Sequence, residues 1–548
     1  MDAIPARVLS EEPILDSHAL HDDVYFGAPE PEESQRELVE VTSAAAVARF
    51  TDRPDVIKVK GRYAVVNTDR TPHEAMIEDL LFIREALDAG GIPFLLVRGN
   101  DRRPVIAVDW RGRRALRDVL VAACRNEPFY SMTVDAGKRA ALLVADGAHA
   151  LGAGGKARIF RLYRPRVEPV GGLTYGSSGG VQLELWSWED STLILPIENS
   201  LTRRTLPVAE AVRGTVTRYG REWPTIENMF ADHATDIDFD IDMVFSWVDG
   251  NSPAYRAARA AHMQGVEVGK GDDSDARFQQ INELKYALRA VHMFAPWIRH
   301  IFIATDSAAP DWLADHPSVS LVRSEDHFQD TSVLPTHNSQ AVEAQLQHIE
   351  GLSEHFLYSN DDMFLGRPLG PDMFFSPGGI TKFIEASTRI GLGDNHLDRS
   401  GFENAARVNR RLLNERFGRI TTRHLEHCAT PLRRSVLLEL EREFAPEYAA
   451  TAASRFRAKD NISVTNSLYH YYALLTGRAV TQVNAKVKYV DTTSVSGLAS
   501  LDPLLKKRSH DFFCLNDSSF PEVRAGERTR RVTEFLERYF PIAAPWEK

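Results

Sequence analysis

Apolar residues recur three and four positions apart between His73 and Ala89, at Met76, Leu80, Ile83 and Leu87, before Gly90-Gly91. That spacing predicts a helix with one buried face and a stop behind it. Strands are predicted at 93–98 and 105–110, then a helix near 114–124, and the alternation of Val181–Trp188 reads as a strand with one buried face. The residues from about 39 to 230 therefore read as an α+β domain. Glu184, Asp109 and Asp190 stand there as isolated acids of the kind that solvated strand faces carry.

The rhythm changes after an acidic run at 231–240, which reads as a linker. Ile241–Val248 is a nearly continuous apolar stretch, and a helix is predicted over 278–294 from Phe278, Ile281, Leu284, Leu288 and Val291. Strands are predicted at 300–305, 319–323 and 355–359, with a helix at about 339–352 before the last of them. Strands apolar on both sides and alternating with helices indicate an α/β fold with a doubly wound, mostly parallel sheet. Further helices are predicted at 462–475, where Tyr469, Tyr471 and Tyr472 read as core, and at about 527–540.

The chain has 548 residues, enough for several domains, with 43% hydrophobic and 26% charged residues, an ordinary globular mix. Its net charge of −11 argues against a general nucleic-acid or anionic-membrane binder. Cys124, Cys428 and Cys514 are odd in number and far apart, which excludes a disulfide framework and fits a reducing compartment. No apolar run is long enough to span a bilayer, and the acidic first forty residues (1–38 as a flexible segment) do not form a secretory signal. A cytoplasmic protein is expected, reaching the inner face of the membrane through a partner at most.

Three of the four strand runs in the second half end in aspartate: Asp249, Asp306, and the pair Asp361/Asp362. Ligands of open parallel sheets bind beyond the carboxyl ends of the strands, so these acids are expected to converge on one crevice. Adjacent carboxylates suit Mg²⁺ or Mn²⁺, which take oxygen ligands and substrate phosphates. Asn360-Asp361-Asp362 also suits a simple turn. Phe512–Leu515 is another apolar run, ending in Asn516-Asp517.

Between Glu403 and Arg434 eight arginines face three glutamates, a basic segment within an acidic chain. Arginine clusters recognise phosphate, and they also make solvated helix faces. His424, His427 and Cys428 lie in the same segment, but a structural zinc site needs four ligands and no second cluster is nearby. A histidine beside an anionic site is better suited to general base work.

Four ordered blocks resemble the stealth proteins, the sugar-phosphate transferases of bacterial capsule and exopolysaccharide synthesis, related to the animal N-acetylglucosamine-1-phosphotransferase. The first is Ile241–Gly250. The second runs from Asn282–Arg289 through 295–305 and Leu334-Pro-Thr336 to Asn360-Asp361-Asp362. The third holds His424-Leu-Glu-His427 and Arg457–Tyr472, and the fourth is Cys514–Asp517. The resemblance covers about 236–520. It implies a catalytic domain of nucleotide-diphospho-sugar transferase type, with an Arg-rich helical insert at about 390–480 and a C-terminal helix beyond 521. It also implies transfer of a hexose 1-phosphate, notably an N-acetylhexosamine 1-phosphate, from a UDP-sugar to a glycan hydroxyl, releasing UMP.

By the same resemblance, Trp247, Asp249, Gly250, Asn282, Lys285 and Arg289 would hold the nucleotide, and Asp361, Asp362, Asn516 and Asp517 would hold Mg²⁺ or Mn²⁺. His424 or His427 would be the base, and Arg407, Arg423 or Arg457 would clamp phosphate. His337 follows Leu334-Pro-Thr336 where the animal enzyme has an aromatic residue, so it competes as base or acceptor contact. The alternatives are a metal-dependent glycosyltransferase, which would release UDP, and a non-catalytic nucleotide-sugar scaffold. The partners expected are thus a donor and a glycan acceptor, with no nucleic acid; a homo-oligomer stays open.

Overall fold

The computed structural model describes residues 48–135, 141–147, 156–263, 280–517 and 521–548. The acidic segment 1–38 and Phe278 lie outside these. In the first half, Thr71 and Glu74 form a reciprocal capping box that starts helix α1 (Pro72–Ala89). Strands β1 (Phe94–Val97) and β2 (Val105–Asp109) form a hairpin followed by α2 (Arg113–Ala123), and β3 (Tyr130–Thr133) and β4 (Ile159–Tyr163) lead to β5 (Val181–Trp188). Strand β5 joins the hairpin in parallel through β2 and pairs antiparallel with β4. Both faces of this sheet are covered: Leu80, Ile83, Ile106 and Leu120 cluster on one side, Leu95, Ala107, Trp186 and Ile226 on the other. That explains why β1 and β2 read as continuous apolar runs rather than alternating ones.

Glu184 is not on a solvated face. It is buried in β5, where Gln182 Nε2 and Trp186 Nε1 each donate to it at 2.8 Å. Those two donors satisfy the carboxylate, so it is structural.

The second half is built on β6 (Ile241–Ser246). After it come α3 (Pro253–Met263), α4 (Glu283–Phe294), β7 (Ile301–Ala304), β8 (Val319–Val322), α5 (Ser339–Glu343) and β9 (His355–Asn360). Strand β10 (Met363–Leu365) leads to the insert, which contains α6 (Gly401–Phe417), β11 (Arg423–Leu425), β12 (Thr430–Arg433), α7 (Arg434–Glu443) and α8 (Tyr469–Leu475). The chain closes with β13 (Val487–Asp491), β14 (Phe512–Asn516) and α9 (Ala525–Tyr539). The main sheet has the order β8-β7-β6-β9-β12, parallel except for β12. Helices cover both faces. Met243, Ile303 and Leu357 pack under α4 and α9, while Val244, Phe302, Phe356 and Tyr358 pack under α6, α7 and α8.

Chain direction along the sheet reverses at β6, whose neighbours are β7 on one side and β9 on the other. This is where an open parallel sheet leaves a crevice beyond its strand ends. A small sheet, β10-β14-β13, sits next to it and carries Asn516-Asp517 to the same end.

Three expected elements differ. The helix expected at 339–352 stops at Glu343 and resumes only as one tight turn, Leu346–His348. Gln347 is buried and donates its amide to the Ala344 carbonyl at 2.8 Å, competing for the acceptor a continuing helix would use. The helix expected from 462 begins as a π turn, Val464–Leu468. The acidic run at 231–240 is also no loose tether. Asp236 pairs with Arg98, Phe239 stacks on His355 with ring centroids 3.7 Å apart, and Ala75, Leu173 and Tyr175 share the core of the second half.

Candidate functional site

Asp361 and Asp362 stand at the carboxyl end of β9, partly open to solvent. Gln280 Nε2 donates to Asp361 Oδ2 at 3.2 Å, and Gln280 Oε1 in turn accepts from Trp247 Nε1 at 3.1 Å. Asn251 donates to the Gln280 carbonyl at 2.9 Å, so the loop after β6 is tied to the Asp361 side chain. Asp249 organises that loop, accepting from Asn251 N–H at 3.0 Å, while its own N–H donates to Ser307 Oγ at 2.8 Å. Gly250 is buried in the same turn. The third strand-end acid, Asp306, is used structurally: it accepts both the Ser324 amide and its hydroxyl, at 2.8 and 2.7 Å.

Asp362 Oδ2 accepts from the Cys514 thiol at 3.4 Å, while its Oδ1 is buried with no hydrogen-bond partner. Burial pushes Asp361 up to about 7, aided by the Asp362 charge. Burial also pushes Asp362 up to about 7, with Asp517 and Glu283 adding to it and the Cys514 bond opposing. Glu283, at the first turn of α4, rises to about 7 through burial and the neighbouring Asp361. Among the described residues a cation pairs with this group: Arg528 meets Asp517, and its Nε donates to Thr492 Oγ1 at 2.9 Å. Asn516 Oδ1 instead accepts from the Asp517 N–H at 2.6 Å.

Four carboxylates with one arginine, one of them carrying a buried unpartnered oxygen, form a place that favours a further cation. Among the described residues no three His, Cys, Asp or Glu side chains are drawn together as a complete metal site. A magnesium ion needs only one or two carboxylates when substrate phosphates supply other oxygens, so the pair fits that ion.

Behind Asn360 lies a second polar network. The Tyr358 hydroxyl donates to Asn360 Oδ1 at 2.9 Å and lies 3.4 Å from Glu343 Oε1, and Thr465 Oγ1 in the π turn donates to Glu343 Oε2 at 2.7 Å. Arg457 joins it through Ser339 Oγ at 2.9 Å. Burial raises the proton affinity of Glu343, and the Arg457 charge opposes that rise. Arg457 thus sits one layer behind the aspartates.

The histidines separate. His427 lies against Tyr489 at 5.4 Å between centroids, and Tyr489 feels the charges of Asp362 and Asp517. His424 stacks on Phe402 at 4.5 Å, and Phe402 stands 5.9 Å from His427. Burial pushes both histidines below the ordinary value of 6.5. His337 occupies another corner, stacked on Phe456 at 5.3 Å beside Tyr255 and His262, with both ring nitrogens buried and without hydrogen-bond partners. Burial, His262, Arg259 and Arg455 push it down to about 4, so it is neutral at pH 7.

Several expected site residues are placed elsewhere. Arg289 clasps Glu547 through Nε and Nη2 at 2.6 and 2.7 Å and donates to the Phe540 carbonyl at 2.8 Å, while Lys285 lies 3.2 Å from Glu547. These two cations lock the C-terminal tail, because they lie on the face of α4 that packs against it. Asn282 is the left-handed residue before α4, at φ 62°, and makes no side-chain cap. Arg423 donates to the Ala386 carbonyl at 3.1 Å in a hairpin of the insert, and Arg407 is buried in α6. The residues not foreseen, Gln280, Glu283, Glu343 and Arg528, are ordinary polar positions in the sequence. Only Glu283 lay inside a motif.

Family models for the four conserved regions of stealth proteins match this chain in order: region 1 at 239–266, region 2 at 277–383, region 3 at 426–474 and region 4 at 502–548. The exopolysaccharide phosphotransferase CpsY of Mycobacterium tuberculosis (strain ATCC 25618 / H37Rv) is 59% identical over 502 residues, covering 91% of this chain and 94% of that protein. The chain belongs to the stealth family of exopolysaccharide phosphotransferases. An exopolysaccharide phosphotransferase of Nocardia farcinica is 56% identical over 475 residues, 87% of this chain and 88% of that one.

Stealth region 4 extends through α9 to Lys548, so the tail held by Arg289 belongs to the family's shared part rather than ending at 520. Stealth region 3 begins at Glu426, which includes His427 and leaves His424 outside. The long matches also take in much of the first half. The galactosyltransferase LgtC covers 54% of this stealth chain at 13% identity with a TM-score of 0.27, a likeness too slight to bear on its fold. This family member is a transferase, and no helix among its described residues is long and apolar enough to cross a membrane.

Proposed function

We propose that this enzyme moves a hexose 1-phosphate, notably an N-acetylhexosamine 1-phosphate, from a UDP-sugar to a hydroxyl of a growing exopolysaccharide, forming a phosphodiester and releasing UMP. The observation that carries the reading is the Asp361/Asp362 pair at the end of β9, beside the strand where the sheet reverses and tied through Gln280 to Trp247. It suits a crevice of nucleotide-diphospho-sugar transferase type. Mg²⁺ or Mn²⁺ held by Asp361 and Asp362, with Asp517 alongside, would supply charge stabilisation to the diphosphate oxygens.

The chain's own groups then have defined tasks. Trp247 and the Asp249–Asn251 turn form the wall on which the nucleotide would lie. Arg457, through Ser339, supplies positive charge behind the strand end, where charge grows on the transferred phosphoryl group. His427 is neutral at pH 7 and accepts the acceptor hydroxyl's proton at a ring nitrogen. The attack falls on the β-phosphorus: the acceptor O–P bond forms as the bond from phosphorus to the bridging oxygen breaks, and UMP leaves. The reaction would take place in the cytoplasm.

Three measurements follow. His427→Ala is expected to lower kcat by about a hundredfold, a usual size for a lost general base, while His424→Ala costs less than tenfold. Because folding lowers the pKa of His427, the base is lost only as pH falls through that lowered value, so wild-type kcat at saturating Mg²⁺ and donor should decline below 6.5 and not above it. Incubation with UDP-N-acetylglucosamine, Mg²⁺ and an oligosaccharide acceptor should release UMP. Release of UDP would instead make the enzyme a glycosyltransferase.

A further inference from the structure

The arginines of α6 do not converge on the aspartates. Arg407, Arg410 and Arg411 on α6 line a separate open recess of about 180 Å³, closed by Gly393, Asp394, Asn395, Asn414 and Ile420. Arg407 is only 6% exposed, and its buried Nε has no hydrogen-bond partner. Its own Nη1 donates to the Glu403 carbonyl at 2.8 Å, which fixes the guanidinium in place. Burial, with Arg399 and Arg410 nearby, works against its charge. Arg410 holds the loop at 391–393 through the Gly391 and Gly393 carbonyls, at 3.1 and 3.2 Å. Arg411 is offset partly by Glu415 at 3.3 Å. Three arginines against one aspartate therefore line a hollow within a chain of net charge −11.

Two exposed aliphatic side chains stand at this recess: Leu392 is 90% exposed and Ile420 65%. Leu392 stands on the loop that Arg410 anchors, and Ile420 lines the recess itself. Single exposed aliphatics need no explanation, but two beside one cationic hollow do. Aliphatic side chains beside arginines are what a bilayer interface accommodates, with the guanidinium groups at the depth of the phosphates.

We infer that the Arg407–Arg410–Arg411 recess binds the phosphate headgroup of an anionic lipid, with Leu392 and Ile420 entering the acyl boundary. This would hold the enzyme at a membrane surface without a spanning helix. It is independent of the donor reading, since it involves neither nucleotide nor Asp361 and Asp362.

The test is flotation of the full chain with phosphatidylcholine vesicles, with and without 20 mol% phosphatidic acid, and no nucleotide. Retention should require phosphatidic acid and weaken with salt. It should fall at least tenfold in the double variant Arg410→Glu/Arg411→Glu. The double variant Leu392→Ser/Ile420→Ser changes exposed positions only, and should lose at least threefold retention with glycerol 3-phosphate binding unchanged. Equal retention on both vesicles, or variants that float like the wild type, would overturn the inference. So would binding of glycerol 3-phosphate without vesicle retention, which would assign the recess to a soluble phosphate.

Discussion

Alanine at Asp361 or Asp362 is expected to reduce kcat/KM at least a thousandfold, about 4 kcal/mol of transition-state stabilisation, while the protein stays folded. The loss follows from the cluster's charge. Among the described residues Arg528 is the cation that pairs with this group of Asp361, Asp362, Glu283 and Asp517, and Asp362 Oδ1 has no hydrogen-bond partner there. On the proposed reading, carboxylates left in that state would serve a cation that arrives with substrate. The same variants should melt higher than wild type in EDTA. Folding raises Asp361 from 3.8 to about 7, so its ionisation costs stability increasingly as pH rises through that window and fully above it. Mg²⁺ should raise the melting temperature of the wild type and not of Asp362→Ala, because a ligand stabilises only a state that binds it. A variant that kept full activity would remove the aspartates from the site.

Arg289→Ala should act on stability, lowering the unfolding free energy by about 3 kcal/mol in urea titrations, the scale for breaking one side of a buried ion pair. Glu547 has only 5% of its side chain exposed and would keep just Lys285, at 3.2 Å, as a charged partner. A double variant with Glu547→Gln should recover part of the loss, since the orphaned charge is then gone. If Arg289 bound the nucleotide instead, its removal would raise KM for the donor and leave the urea midpoint in place.

The sheet was legible because its strands are apolar on both sides: β6, β7, β8 and β9 all lie within a residue or two of their predicted ranges. Helix α1 was legible through its spacing and Gly90-Gly91. The helix expected at 339–352 was misread because its period is helical while its glutamines are buried and bond the backbone, a tertiary effect that periodicity does not carry. At the site, Asp361 and Asp362 stood out because acids directly follow an apolar strand. Lys285 and Arg289 lie in the same motif-bearing helix, yet their side chains leave on the face that meets the tail, and a linear motif does not say which face looks into the crevice. Arg528 and Glu343 reach their partners only through folding: Arg528 comes from a helix outside the motif that holds Asp517, and Glu343 meets Thr465 from 122 residues away. The three arginines expected to clamp phosphate divide in space: Arg457 lies behind Asn360, Arg423 in a hairpin of the insert and Arg407 at a separate recess.

The most direct test of phosphosugar transfer is the product itself. Purified enzyme, UDP-N-acetylglucosamine, Mg²⁺ and an oligosaccharide acceptor should yield a glycan with a new phosphodiester resonance in ³¹P NMR, absent with Asp362→Ala. A lengthened glycan containing no phosphorus, with UDP left in solution, would contradict the account.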